Sequence, residues 1–158
     1  MTPKPIQDFY PDEIAICYGC GRHNPEGLHI KTFWDGEEGY FRFKPKSYHT
    51  AFPGVVYGGL VASLIDCHCI GTAIAAAYQA EGREPGTEPE ITFVTGNLNV
   101  SYLHPTPIDA ELELGSRVKE LGERKIIVTC ELSAGDTICA KGEVTAVRIP
   151  SRMNVKAG

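Results

Sequence analysis

Residues 58–81 read GGLVASLIDCHCIGTAIAAAYQAE, a run without proline, rich in Ala, Leu and Ile, and too long for a strand. A helix built from it is apolar on nearly all sides, so no face of it is suited to water. Such a helix has to be wrapped, and a sheet is the layer that wraps it. One residue resists burial. Asp66 carries the only formal charge between Gly58 and Ala80, and stripping water from an ionised carboxylate costs several kcal/mol unless the group is paired or used.

The flanking sequence supplies strands for the wrapping. Before the helix, Leu28 to Trp34 and Tyr40 to Lys44 are extended around the turn DGEEG, and YFRFK places Phe41 and Phe43 opposite Tyr40, Arg42 and Lys44. After the polar loop GREPGTEPE come four strand-like runs, Thr92 to Leu103, Ala110 to Glu120, Lys125 to Ser133 and Thr137 to Ile149. Alternation puts Ala110, Leu112 and Leu114 on one face, and Ile126, Val128, Cys130 and Leu132 on one face of the next run. LGER and AGD are short enough for antiparallel hairpins. The order, two strands, a long helix, then four strands, predicts an α+β fold with an antiparallel sheet packed on a central helix. The Pro- and Gly-rich segment PKSYHTAFPGVVYGG between them is a loop long enough to carry function.

At 158 residues the chain has one domain's length and buries about two thirds of its unfolded surface, enough for a core without staples. A leader of residues 1–27 is irregular, with a short helical turn around Asp12 to Cys17; the domain spans 28–150 and a tail 151–158. The net charge of −5 argues against nucleic acid as a partner, which calls for a basic stripe. MTPKPIQDFYPDEIAIC has neither the basic start nor the apolar core of a secretory signal, and no stretch reads as a membrane span of ~20 apolar residues. The expectation is a soluble, cytoplasmic protein.

Of six cysteines, Cys17 and Cys20 form a C-x-x-C, half of a zinc site or a redox pair. The other half is missing: only His23 and His29 offer nearby nitrogens, and Cys67 and Cys69 diverge by about 200° on the helix. No βαβ pattern surrounds the pair. The expectation is reduced thiols, with no metal and no cofactor.

HTAFPGVVYGGLVASLID (49–66) resembles the loop-and-helix motif of PaaI-like acyl-CoA thioesterases of the hotdog fold, H-Q-G-x-P-G-x-x-H-G-G followed by an apolar helix with an acidic residue. TGNLNVSYLHPTPIDAELEL is similar to that family's central strand, and CYGCGRHNPEGLHI to the opening of one of its branches. The matches cover about residues 17 to 149. The resemblance implies a sheet of about six strands around one long helix, hydrolysis of an acyl-CoA thioester without metal, and a dimer or tetramer with sites at the interface. It implies Asp66 as nucleophile or general base, the Gly58 amide as oxyanion donor, and Thr95 from the partner subunit as positioner. His49, Thr50, Tyr57 and Gly59 are the implied substrate contacts. Two positions depart from the motif: Tyr57 replaces a histidine and Thr50 a glutamine.

The residues support a similar chemistry. Gly58 and Gly59 let the chain turn sharply into the helix, whose first N–H groups lack intrahelical acceptors and so attract developing negative charge. Two turns on, Asp66 returns to nearly the same face, which suggests that carboxylate and donors address one bound group. Helical neighbours Ala62, Cys69, Ile70 and Ala73 offer no positive charge, so the carboxylate is more basic than in water. His49 is read as fixing the loop, and His68 points away from Asp66 as a structural residue. The rival reading is a non-catalytic acyl-CoA or fatty-acid binding module in which Tyr57 marks lost activity. A hotdog dehydratase is the weaker rival, because it needs a catalytic histidine and His68 faces the wrong way.

Overall fold

A computed structural model describes residues 3–151. Apart from Ser151, the expected 151–158 tail lies outside the described residues. The apolar run forms one helix, α1 (Gly58–Ala80), and six strands surround it: β1 (Phe33–Trp34), β2 (Glu38–Phe43), β3 (Thr92–Tyr102), β4 (Leu112–Leu121), β5 (Lys125–Ala134) and β6 (Thr137–Ile149). The strands form one antiparallel sheet in the order β1-β2-β4-β5-β6-β3.

Alternation explains which side faces the helix. Leu112 and Leu114 of β4, Ile126, Val128, Cys130 and Leu132 of β5, and Ala140, Val144 and Ala146 of β6 are buried together with Leu64, Ile65 and Cys69 of α1. The expected strand from Leu28 to Trp34 shrinks to two residues. Its earlier part follows the leader instead: Leu28 and Ile30 donate backbone bonds to the carbonyls of Tyr18 and Gly19. The leader makes 3-10 turns at Ile6–Phe9 and Asp12–Ile14.

The expectation that no stretch reads as a membrane span needs correction. Among the described residues α1 is long and apolar enough to cross one, and it is mostly buried inside the protein. Its apolar character is accounted for by the sheet around it.

α1 also carries a polar seam. His68 is fully buried; its Nδ1 lies 3.1 Å from the Lys31 carbonyl and its Nε2 3.0 Å from Ser116 Oγ, which lies 2.6 Å from Thr72 Oγ1. Thr32 Oγ1 donates to the His68 carbonyl, and Gln7 of the leader bonds Thr32 through both its amide groups. Gly39 of β2 admits this seam, since a Cβ there would sit 2.3 Å from Thr72 Oγ1. The seam ties leader, helix, β2 and β4 together, as expected of a satisfied buried network.

Burial pushes the His68 pKa from 6.5 down to about 4, against backbone hydrogen bonds with Lys31 and Gly39 that raise it. The unfolded chain therefore takes up a proton at His68 near pH 6.5 that the folded chain refuses until about pH 4. Stability present above the unfolded value is lost as pH falls toward the folded one. In urea titrations the protein is expected to be about 2 kcal/mol less stable at about pH 5 than at about pH 7.5 from this residue. His68→Gln should flatten that slope; an unchanged slope would show that His68 is not its source.

Candidate active site

Asp66 sits eight residues into α1, half-buried, beside a cavity of about 390 Å³. The cavity runs along the stripe Asp66, Ile70, Ile74 and Tyr78, one helical face at i+4 spacing, and is roofed by Phe9 and Ile14 of the leader. Its walls are mostly apolar. The larger concavity on the sheet is polar, lined by residues such as Glu38, Arg117 and Lys141, and reaches neither Asp66 nor α1.

Thr95 donates from Oγ1 to Asp66 Oδ1 at 2.6 Å. A bulge sets this up: the β3–β6 register shifts between Thr95 and Asn97, and such an irregularity re-aims the adjoining side chains. The bulge glycine is enforced by packing, since a Cβ on Gly96 would meet Val147 Cγ2 at 2.6 Å. Burial raises the Asp66 pKa, the Thr95 hydrogen bond lowers it, and the charge of Cys17 raises it; the net shift is upward. A carboxylate with one bond and no basic partner is a stronger base than one in water.

The expectation that Thr95 reaches Asp66 from a partner subunit is corrected: acid and threonine meet within one chain. A second correction concerns the glycines. α1 is continuous from Gly58 to Ala80, so Gly58 lies about 12 Å from Asp66 along the axis at the helical rise. One helix cannot offer both to the same carbonyl. Neither Gly58 nor Gly59 is among the glycines with positive φ. Their value is room rather than a sharp turn: a Cβ on Gly58 would meet the Tyr102 ring at an ordinary 3.6 Å, whereas one on Gly59 would lie 2.4 Å from the Tyr57 ring, so Gly59 lets that ring fold over the helix start. Tyr57 caps α1 without a side-chain bond; its carbonyl takes the Leu60 and Val61 N–H groups, which leaves those of Gly58 and Gly59 as the open donors of the first turn.

The loop residues stand apart from the Asp66 cavity. His49 accepts at Nδ1 from the Lys46 amide and stacks on Phe43, and burial lowers its pKa. Thr50 Oγ1 lies within bonding distance of the Phe52 and Val55 carbonyls. The Tyr57 amide donates to the His49 carbonyl while its ring is exposed. Its backbone, rather than its hydroxyl, ties the loop.

Sequence reasoning missed Cys67. Its sulfur joins those of Cys17 and Cys20, all within 4.8 Å of one another. S–H bonds donated by Cys20 and Cys67 hold Cys17 down to about 2, and the same sharing pushes Cys20 up to about 12. His23 does not take part, since its Nε2 lies 3.0 Å from Asp12 Oδ1.

A single central helix in an antiparallel sheet, with a desolvated carboxylate facing an apolar cavity, defines a protein of the hotdog class. Within that class the thioesterase superfamily model matches residues 53–141, and the chain belongs to that family. A thioesterase superfamily protein from Shewanella loihica PV-4 is 43% identical, with 89% of this chain and 100% of that one covered at a TM-score of 0.68. A Streptococcus mutans UA159 protein solved bound to acetyl CoA shares the fold at 15% identity and a TM-score of 0.61, over 73% of this chain and 84% of its own. The acyl-coenzyme A thioesterase THEM4 of Xenopus laevis is 29% identical over 107 residues, 68% of this chain and 42% of that protein. The chain thus spans less than half the length of that relative.

Replacing Thr95 by valine removes the bond that favours the charged carboxylate. The Asp66 pKa, followed by carboxyl-carbon NMR titration, should then rise above its wild-type value. An unchanged or lower value would show that Thr95 does not control it.

Proposed function

We propose that the protein is an acyl-CoA thioesterase, hydrolysing an acyl-CoA to a carboxylic acid and free CoA. The observation that carries this is Asp66: a desolvated carboxylate, held by Thr95, in the wall of an apolar cavity suited to an acyl group. Family membership and the names of the relatives support the reaction class. Asp66 either attacks the thioester carbon or takes a proton from the attacking water. In both routes the carbonyl oxygen gains negative charge and needs N–H donors.

Those donors come from a second copy of the chain. β3 is an edge strand of 11 residues, TFVTGNLNVSY, without a charge or a proline, and exposes Val94 (44%), Leu98 (37%) and Tyr102 (55%). Such an edge invites pairing. The opposite edge, β1, is only two residues long and needs no cover. Within one chain Thr95 holds Asp66, while Tyr102 Oη donates to the Gly58 carbonyl at 2.7 Å. Antiparallel β3–β3 pairing centred between Leu98 and Asn99 sets Tyr102 of one copy opposite Thr95 of the other. The helix start of one protomer then meets the carboxylate of its partner, removing the 12 Å mismatch of a single helix. The chemistry so described uses no metal, and the protein works as a cytoplasmic dimer or pair of dimers.

Asp66→Asn keeps the shape and removes the base, so hydrolysis should fall at least about 10²-fold with folding retained. Full turnover in that variant would sink the assignment.

Gly58→Pro deletes one N–H at a helix position that tolerates proline, after a residue with extended backbone. Turnover should drop about 10²–10³-fold. Refolding the two variants together should restore about a quarter of wild-type activity, since half of the dimers carry one intact site of two. No recovery would refute the shared site.

A further inference from the structure

We propose that Cys17, Cys20 and Cys67 bind a zinc ion that staples the leader to α1. The three sulfurs come from elements about 50 residues apart in sequence and lie within 4.8 Å of one another. A tetrahedral zinc with Zn–S bonds of about 2.3 Å needs sulfurs about 3.8 Å apart, a small closure from the observed spacing.

Three features suit the cluster to thiolates. The Gly19 amide donates to Cys17 Sγ at 3.3 Å, so the C-x-x-C turn already aims an N–H at a sulfur. Gly19 has no room for a side chain: a Cβ would lie 2.3 Å from Cys67 Sγ, so the turn closes directly on the helix cysteine. Tyr10 Oη, buried and with no hydrogen-bond partner among the described residues, has Cys20, Cys67 and Cys17, together with Tyr78, as its titratable neighbours. Closure of the sulfurs onto a metal would set thiolate charge beside a hydroxyl that lacks an acceptor.

Zinc selects such soft donors and binds with release of the thiol protons. Three thiolates around a divalent ion leave a net charge of −1 and a weak Lewis acid, so the ion's work is structural. The cysteines are among the residues lining the Asp66 cavity, so the fourth position of the tetrahedron is open to water from it. The staple holds Phe9 and Ile14 over the rest of that cavity.

The experiment takes untagged, fully reduced protein purified without chelator. Elemental analysis should find one zinc per chain, and replacement by Co²⁺ should give the thiolate-to-cobalt charge-transfer absorption of a tetrahedral site. Cys17→Ser, at an exposed position, should weaken zinc binding at least about 10²-fold in competition with a chromophoric chelator. Cys67→Ser should do the same, and Cys139→Ala should bind like wild type. Reduced wild-type protein that takes up neither ion overturns the proposal, as does equal affinity in Cys17→Ser. A Cys17–Cys20 disulfide persisting in protein handled under reductant, seen as the loss of two hydrogens by mass, assigns the pair to redox chemistry and overturns it as well.

Discussion

Enclosure of α1 is the constraint on which everything else rests. A helix without a polar face is stable only if another layer removes nearly all of it from water. Residues such as Leu64, Ile65, Cys69 and Ala73 are fully buried, and at roughly 25 cal/mol per Å² their burial is the main favourable term holding sheet to helix. The same enclosure makes every polar group on α1 expensive. His68 and Thr72 are matched by partners on the Lys31–Thr32 segment and β4. Asp66 has Thr95 alone as a side-chain partner among the bonds described.

That asymmetry separates structure from chemistry along one helix. His68 has an acceptor or donor at each ring nitrogen and stays neutral, which locks the seam. Asp66, two residues earlier and pointing elsewhere, keeps a single bond and a raised pKa. A fully satisfied carboxylate is stable and unreactive; one held by a single hydroxyl is oriented yet still basic.

The two sheet edges show the same economy. β1 ends after two residues and leaves little to protect, whereas β3 is long, uncharged and bulged at the residue before which Thr95 sits. The bulge aims Thr95 inward while the open edge and the uncapped start of α1 remain outward-facing. On the proposed reading the chain carries one half of a reaction site at the start of α1 and the other at Asp66, about 12 Å further along the same helix.

Much of this was legible in the sequence because it follows from short-range periodicity. The 58–80 helix, the β6 bounds, the facing of Ile126, Val128, Cys130 and Leu132, and Asp66 as the one misplaced charge all follow from alternation and composition over a few residues. The strand at 28–34 failed because its apolar residues are satisfied by the leader, a contact that local pattern does not encode. Whether Thr95 belonged to the same Asp66 or to a partner's was likewise undecidable, since it depends on the bulge at Gly96. The helical period foretold that Cys67 and Cys69 diverge, but not that the leader returns Cys17 and Cys20 to Cys67. Periodicity specifies which way a side chain points; only the packed path of the chain decides what it meets there, because such contacts span dozens of residues and are set by the burial of the whole core.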